Sequence, residues 1–413
     1  MKPEITETPS GYTLEWKDQH IKISTSRIHI HKSDGRVTGE LVISTDVKNL
    51  SSILMPASQL NFSSERTRTS LIKSLGEKFK QFEWDTIIDQ LAYYVQDLAR
   101  QGEPIKELWT SDNIKPPEYL LEPFIYKGLP NIIYGEKGVS KSTLALVFYT
   151  CLVLPWHDNP LELVVPERSI KTLMLDWETE GDIIQYYAKR LQTGMSLPPF
   201  AVNYRRCALP LADDIEQIQR HISNIGAEVI IVDSLGAAAG GDLKAPEIAL
   251  NFFTGLRRLK TSSLILAQTS KDEDSKRKRI FGSVYFEYYA RNIWELCKSE
   301  AISDEEFDVA LFHRNANLSA PLKPIAFHLH YNESGLSVDR TSVDIREFRA
   351  KMSASVKVLD ALKKGALSAE EISDITEIST DTIRVSLSRL KKRGKVVSLE
   401  RGKWGLYAQP ELS

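Results

Sequence analysis

Apolar positions change their spacing along the chain, and the spacing predicts the elements. Near the N-terminus they alternate: Tyr12, Leu14 and Trp16, then Ile21 and Ile23, then Ile28 and Ile30. That is the period of half-buried strands. Residues 33–36, Ser-Asp-Gly-Arg, read as a hairpin turn into a return strand over 37–43. Further on the period lengthens, and Ile87, Ile88, Leu91, Val95 and Leu98 share one side of a helix over 84–99. Residues 102–118, with their charges and the Pro116-Pro117 pair, read as a linker.

From Leu121 onward short unbroken apolar runs alternate with amphipathic stretches. Strands are expected at 131–134, 171–176, 228–233 and 263–268, with helices opening at 144 and spanning 183–191, 215–225 and 245–259. Later strands are expected at 292–297, 307–312 and 325–330. Strict alternation of this kind predicts an α/β core built on a parallel sheet. The last sixty or so residues change again. A helix over 356–364 precedes a second one that starts at 367–372, where Ser368 and Glu371 form a capping box. A third, capped by residues 379–382, runs through Ile383, Leu387 and Leu390 to Arg393, and Gly394 ends it. Two short strands, 396–399 and 404–407, follow around the tip 400–403. Helix, helix, recognition helix and β-hairpin make a winged helix-turn-helix pattern. The expected division is a β-rich N-terminal accessory domain over 1–110, an α/β core over 118–345 and a winged helix over 352–413.

Composition narrows the classes. The chain has 413 residues, with 53 Lys and Arg against 55 Asp and Glu, for a net charge of −2. A balance this close to neutral excludes a generally basic nucleic-acid binder, so any such contact must come from local patches. No apolar run is long enough to span a bilayer, and the polar N-terminus does not read as a signal peptide. Cys151, Cys207 and Cys297 lack C-x-x-C spacing. They point to a reducing, cytoplasmic setting, without a disulfide framework or a zinc site. His29 and His31 share a strand face, as do His328 and His330. A metal site is weighed there against solvated histidines, and the absence of a suggested third ligand favours the latter.

The candidate chemistry centres on residues 134–143, Tyr-Gly-Glu-Lys-Gly-Val-Ser-Lys-Ser-Thr, between a predicted strand and a predicted helix. Gly135, Glu136, Lys137, Gly138, Val139, Ser140, Lys141, Ser142 and Thr143 form the G-x-x-x-x-G-K-[ST] phosphate loop, with one departure: Ser140 stands where the second glycine usually does. Gly138 remains inside the loop to absorb a special backbone angle. Backbone N–H groups would face phosphate oxygens, Lys141 would reach the β- and γ-phosphates, and Ser142 would hold Mg²⁺. The implied ligands are ATP and Mg²⁺. A phosphate loop also needs a metal-side acid, a water-activating base and a sensor. Asp233, Glu178 and Gln268 each stand at or just past the carboxyl end of a predicted strand, where ligands of open parallel sheets bind. Asp233 would hold Mg²⁺ through water, and Glu178 would polarise the attacking water, with Glu180 as the other candidate. Gln268 would sense the γ-phosphate.

The segment over 121–338 resembles the RecA-like ATPases, and most of all the RepA-type hexameric helicases of plasmids and phages. The matching stretches are 134–146, 173–180, 229–235, 264–271 and the run His313-Arg314-Asn315-Ala316-Asn317 that follows Phe312. The resemblance implies a RecA-like parallel-sheet P-loop ATPase core, Glu178 as the catalytic base, and Arg314 as a basic residue reaching across a subunit interface to the neighbour's γ-phosphate. It implies a homo-oligomer, a hexamer, with single-stranded DNA in its channel. In such a ring two loops would face the channel, 237–244 and the basic run Lys276, Arg277, Lys278 and Arg279, although Asp272, Glu273 and Asp274 leave open a solvated charge run. At the winged helix Arg384, Arg389, Lys391, Lys392, Arg393, Lys395, Arg401 and Lys403 offer contacts for duplex DNA, against a protein-docking face as the alternative. The expected function is a ring-forming replicative helicase of a plasmid, phage or mobile element. Its rivals are an ATP-switched DNA-binding loader or regulator, and a recombination or repair ATPase that does not unwind.

Overall fold

A computed structural model describes residues 2–8, 11–102, 105, 107–110, 114, 116–270, 279–299, 305–316, 318, 322–333, 335–342, 354–363, 365–392 and 394–407, excluding the side chains of Ala316, Ser355, Val356 and Arg401. The chain divides into two compact units, residues 1–116 with 214–226, and residues 117–213 with 227–413.

In the first unit β1 (Glu4–Thr8), β2 (Gly11–Trp16), β3 (Ile21–Ile30), β4 (Val37–Thr45) and β5 (Ile53–Asn61) pair in sequence order as an antiparallel sheet. Alternation puts Leu14, Trp16, Ile21, Ile23, Leu41 and Ile43 on its buried face. Two helices complete the unit, α1 (Glu65–Lys78) and α2 (Trp84–Gln101). The predicted stripe of α2 is found: Ile87, Ile88, Leu91 and Val95 are buried in one cluster with the sheet residues. The Trp16 indole donates to Gln90 Oε1 at 2.8 Å across the same contact. Helix α1 was not expected, because it buries only Leu75 and carries little apolar periodicity. Its start is marked by Ser64, whose side chain accepts from the Thr67 N–H.

The second unit begins with a small antiparallel pair, β6 (Tyr119–Leu121) and β7 (Ile125–Tyr126). There follow β8 (Pro130–Gly135), α3 (Lys141–Val153), β9 (Thr172–Asp176), α4 (Gly181–Gly194) and β10 (Asn203–Arg206). Then come α5 (Ile215–Ile225), which groups with the first unit, β11 (Val229–Asp233), α6 (Leu235–Ala239), α7 (Pro246–Leu259) and β12 (Ser262–Gln268). Helix α8 (Tyr285–Tyr289) leads to β13 (Asn292–Lys298), β14 (Glu306–Ala316), β15 (Ile325–Tyr331) and β16 (Leu336–Thr341). These strands form one sheet in the order β10-β9-β11-β12-β8-β13-β14-β15-β16.

From β10 to β13 every pairing is parallel, as expected of the alternating pattern. From β13 to β16 the sheet is antiparallel, which narrows the expectation of a parallel core. The reason is local: the connections among these last strands, 299–305, 317–324 and 332–335, are shorter than the dozen or so residues a parallel crossover needs. Helix α3 lies in the centre of the core and is buried on all sides from Leu144 to Leu152, which is why its sequence shows no polar face.

The C-terminal part has its own core, formed by Val358, Leu362, Ile372, Ile383, Leu387, Leu390 and Val396 among others. It comprises α9 (Ala354–Leu362), β17 (Leu367–Ser368), α10 (Ala369–Thr376), α11 (Thr380–Lys392), β18 (Val396–Ser398) and β19 (Lys403–Leu406). The strands pair antiparallel in the order β17-β19-β18. The Ser368–Glu371 capping box is present in full. Among the described residues no helix is long and apolar enough to cross a membrane.

Candidate nucleotide site

The sheet order places β8 beside β12, and β11 between β12 and β9. Their carboxyl ends therefore lie along one edge, with Asp233 opposite Asp176 and Gln268 opposite Gly135 in register. The loop from β8 to α3 starts at that edge. Gly138 takes φ +82°, and nothing lies within 4 Å of where a side chain would begin. Ser140 also takes a left-handed conformation, φ 66° and ψ 33°, so the special angle is not confined to Gly138. A serine there carries a backbone cost of about 1–2 kcal/mol that glycine avoids.

Lys141 folds back over its own loop, donating to the carbonyls of Gly135 at 3.1 Å and Glu136 at 2.7 Å. Burial pulls its ammonium below the usual lysine range, against the opposing pull of Asp233, Glu178 and Glu136. The Ser142 hydroxyl donates to the carboxylate of Asp233, which is only 4% exposed. Burial pushes Asp233 up to about 6; Asp176 and Glu178 add to the rise, and Ser142 and Lys141 oppose it.

Glu178 is exposed and accepts a hydrogen bond from the Ser234 hydroxyl. Its turn is built by Asp176, whose Oδ1 accepts from the N–H groups of Glu178 at 2.8 Å and Thr179 at 2.9 Å. The Trp177 N–H donates to the Asp233 carbonyl at 2.7 Å, which ties the turn to the end of β11. Glu180 points to a different partner, the exposed Arg206, at 3.2 Å. Gln268 closes β12 with an exposed side chain, and the Thr269 N–H donates to the Gly135 carbonyl at 3.3 Å.

Two residues here escaped the sequence reading. Asp176 is fully buried, and its Oδ2 has no hydrogen-bond partner among the described residues. Ser234 is 4% exposed and holds Glu178. Asp176 could have been found as an acid ending an apolar run; nothing local distinguishes Ser234.

Arg314, expected to reach a neighbouring subunit, is engaged within its own chain. Pairing between β13 and β14 passes from Ile293–Asn315 to Trp294–His313, so Arg314 is the extra residue of a bulge. Its side chain, 11% exposed, lies over the Phe312 ring and meets Glu295 of the same chain at 2.5 Å. His313 stacks on Trp294 at 4.5 Å, and burial holds it down to about 4.

The DNA-contact candidates are dispersed. Lys276, Arg277, Lys278 and Arg393 lie outside the described residues, as does the Arg401 side chain. Arg279 is exposed, and its carbonyl accepts from the Ser270 N–H at 2.9 Å. Arg389 and Lys392 are exposed on α11. Arg384 meets Glu370 at 2.7 Å, and Lys403 lies 3.9 Å from Glu371. The acids of α10 thus offset part of a basic cluster that looks nearly acid-free along the sequence.

The residues around the loop fit a nucleotide and its metal. A buried carboxylate oxygen unpartnered among the described residues, a lysine resting on loop carbonyls and a serine hydroxyl on a strand-end acid are groups that phosphate and Mg²⁺ would engage. The loop N–H groups and Lys141 would hold phosphates, with Mg²⁺ at Ser142 and Asp233. Among the described residues no group of three or more His, Cys, Asp or Glu side chains could hold a metal. A cation here would therefore rely on phosphate oxygens and water, as Mg²⁺ commonly does.

Residues 100–274 match the family model described as an AAA domain. No curated protein matches the chain. Among solved structures, a KaiC-like protein from the hyperthermophilic archaeon Pyrococcus horikoshii OT3 aligns with 54% of this chain and 95% of its own, at 14% identity and a TM-score of 0.37. The AAA match spans the phosphate loop, the Asp176–Glu178 turn and Asp233, and supports a P-loop ATPase.

Proposed function

We propose that the protein is an ATP-driven, DNA-acting motor, a ring-forming replicative helicase of a plasmid, phage or mobile element. The observation that carries the reading is the meeting of Lys141, Ser142, Asp233 and Glu178 at one sheet edge, from which the loops after β11 and β12 also emerge. When bound, Mg²⁺ neutralises charge on the β- and γ-phosphates. Lys141 would leave its loop carbonyls for phosphate, Asp233 would hold Mg²⁺ as the anion, and Glu178, held by Ser234, would accept a proton from the attacking water. Gln268 lies between this site and the segment leading to Arg279. Nucleotide state is passed along that connection to the DNA-contacting loops. The C-terminal part, read as a winged helix, adds a duplex contact through Arg389, Lys392 and the exposed Lys403.

A second reading is favoured by one observation. Arg314 is paired with Glu295 inside its own subunit, and completing a neighbour's site would require it to leave that carboxylate. A chain in which it stays would act as an ATP-switched DNA-binding protein without a shared site. A strand-displacement assay with Mg²⁺ and ATP separates the two. Unwinding that Lys141→Ala abolishes supports the motor, and ATP-dependent DNA binding without displacement supports the switch.

A further inference from the structure

The segment that returns from the basic run to the sheet carries large aromatic side chains on the outside of the molecule. Phe281 is 40% exposed, Tyr285 41% and Tyr288 65%, with Val284 beside them at 44%. Tyr285 and Tyr288 stand three residues apart on one face of α8, and Phe281 lies in the turn before it. The opposite face is satisfied: Phe286 is fully buried and packs near Phe252 and Phe253. Two of the outward rings, Tyr285 and Tyr288, meet edge-on at 5.8 Å.

Basic side chains lie beside them. Arg279, two residues before Phe281, is exposed. Lys244, also exposed, is brought in by its neighbour Leu243, whose carbonyl accepts from the Ser283 N–H at 2.7 Å. That approach is close: a side chain on Gly282, which has φ +111°, would lie 2.6 Å from the Leu243 oxygen. The loop over 237–244, expected to meet DNA, thereby touches the segment that carries the aromatic rings, just after Arg279. Two of the acids nearby are turned to backbone donors, Glu287 to the Ile280 N–H at 3.4 Å and Asp242 to the Lys244 N–H at 3.0 Å.

We infer that Phe281, Tyr285 and Tyr288 form a stacking platform for the bases of single-stranded DNA, with Lys244 and Arg279 taking the flanking phosphates. Exposed rings beside basic side chains are the combination that binds single strands without sequence preference, because every base presents a π-face. The inference rests on the DNA-acting reading above and adds to it a base contact that the basic run alone would not make.

The test measures binding, at one fixed salt concentration, of an oligothymidylate and of an abasic strand of equal length and charge. The parent protein binds the base-bearing strand more tightly. Tyr285→Leu/Tyr288→Leu keeps apolar bulk but removes the rings. Its affinity for the thymidylate falls by about fivefold or more for each ring lost, and binding to the abasic strand stays at the parent's level. Phe281→Leu added to the pair removes the remaining preference. The platform is overturned if the leucine variants discriminate between the strands as the parent does. It is equally overturned if they change the protein's sedimentation without DNA, which would make the rings a surface between copies. A parent that binds neither strand overturns the platform and the DNA-acting reading together; loss of the platform alone leaves that reading standing.

Discussion

Asp233→Asn should stabilise the nucleotide-free protein, and by an amount that depends on pH in one direction. Asp233 is 4% exposed and is pushed from an ordinary value of 3.8 to about 6, chiefly by burial, with Asp176 and Glu178 adding repulsion. The folded state therefore holds this proton more tightly than the unfolded chain. Below pH 3.8 both states carry it and no penalty exists. As pH rises through about 6 the folded carboxyl must ionise against its surroundings, and stability is lost across that interval. At 1.36 kcal/mol per pH unit the loss at pH 7.5 is about 3 kcal/mol. Asparagine cannot ionise and still accepts from Ser142. Urea unfolding of parent and variant without nucleotide, from about pH 4 to 8, should give a difference near zero at the acid end that grows to about 3 kcal/mol in favour of the variant. A pH-independent difference, or a variant less stable than the parent at pH 7.5, would refute the reasoning.

Ser140→Gly should unfold at the same urea concentration as the parent or a higher one, because relief of the left-handed backbone offsets glycine's chain entropy, whereas Ser140→Val should lose about 1–2 kcal/mol. A clear loss in the glycine variant would show that the serine side chain matters more than the angle. Ser234→Ala should lower turnover about 10–100-fold while nucleotide affinity holds, since it removes a charge-assisted hydrogen bond that positions Glu178. An equal loss of affinity would make Ser234 merely structural. Glu295→Gln should cost about 3–5 kcal/mol of stability by leaving Arg314 buried without its counter-charge, and the double variant with Arg314→Gln should cost less than the two singles summed. Additive losses would mean that the pair is not coupled.

The parts of this fold that could be read from the chain are those whose signal is local. The phosphate loop, the ends of β9, β11 and β12, the stripe of α2 and the Ser368–Glu371 box each declare themselves within a few residues. Helix α1 did not, since it buries only Leu75, and β1, whose residues are mostly exposed, shows no alternation. Strand β10 is a short edge strand with no buried residue. The sheet's turn to antiparallel pairing after β13 depends on which strands meet, and strand periodicity is blind to direction. The site shows the same division. Lys141, Ser142, Asp233 and Glu178 were legible from spacing. Ser234 on Glu178, Glu295 on Arg314 and Glu370 on Arg384 join residues far apart in the chain or across strands, and only the folded structure brings them together.

The account stands most directly on Glu178 as the base of an ATPase. Mg²⁺-dependent ATP hydrolysis by Glu178→Gln, measured beside the parent with and without single-stranded DNA, tests it. The parent should turn over ATP and do so faster with DNA, while the variant should bind ATP as tightly and hydrolyse it at least about 100-fold more slowly, the scale of a lost general base. A variant that hydrolyses ATP at the parent's rate would contradict the assignment and return the role to Glu180.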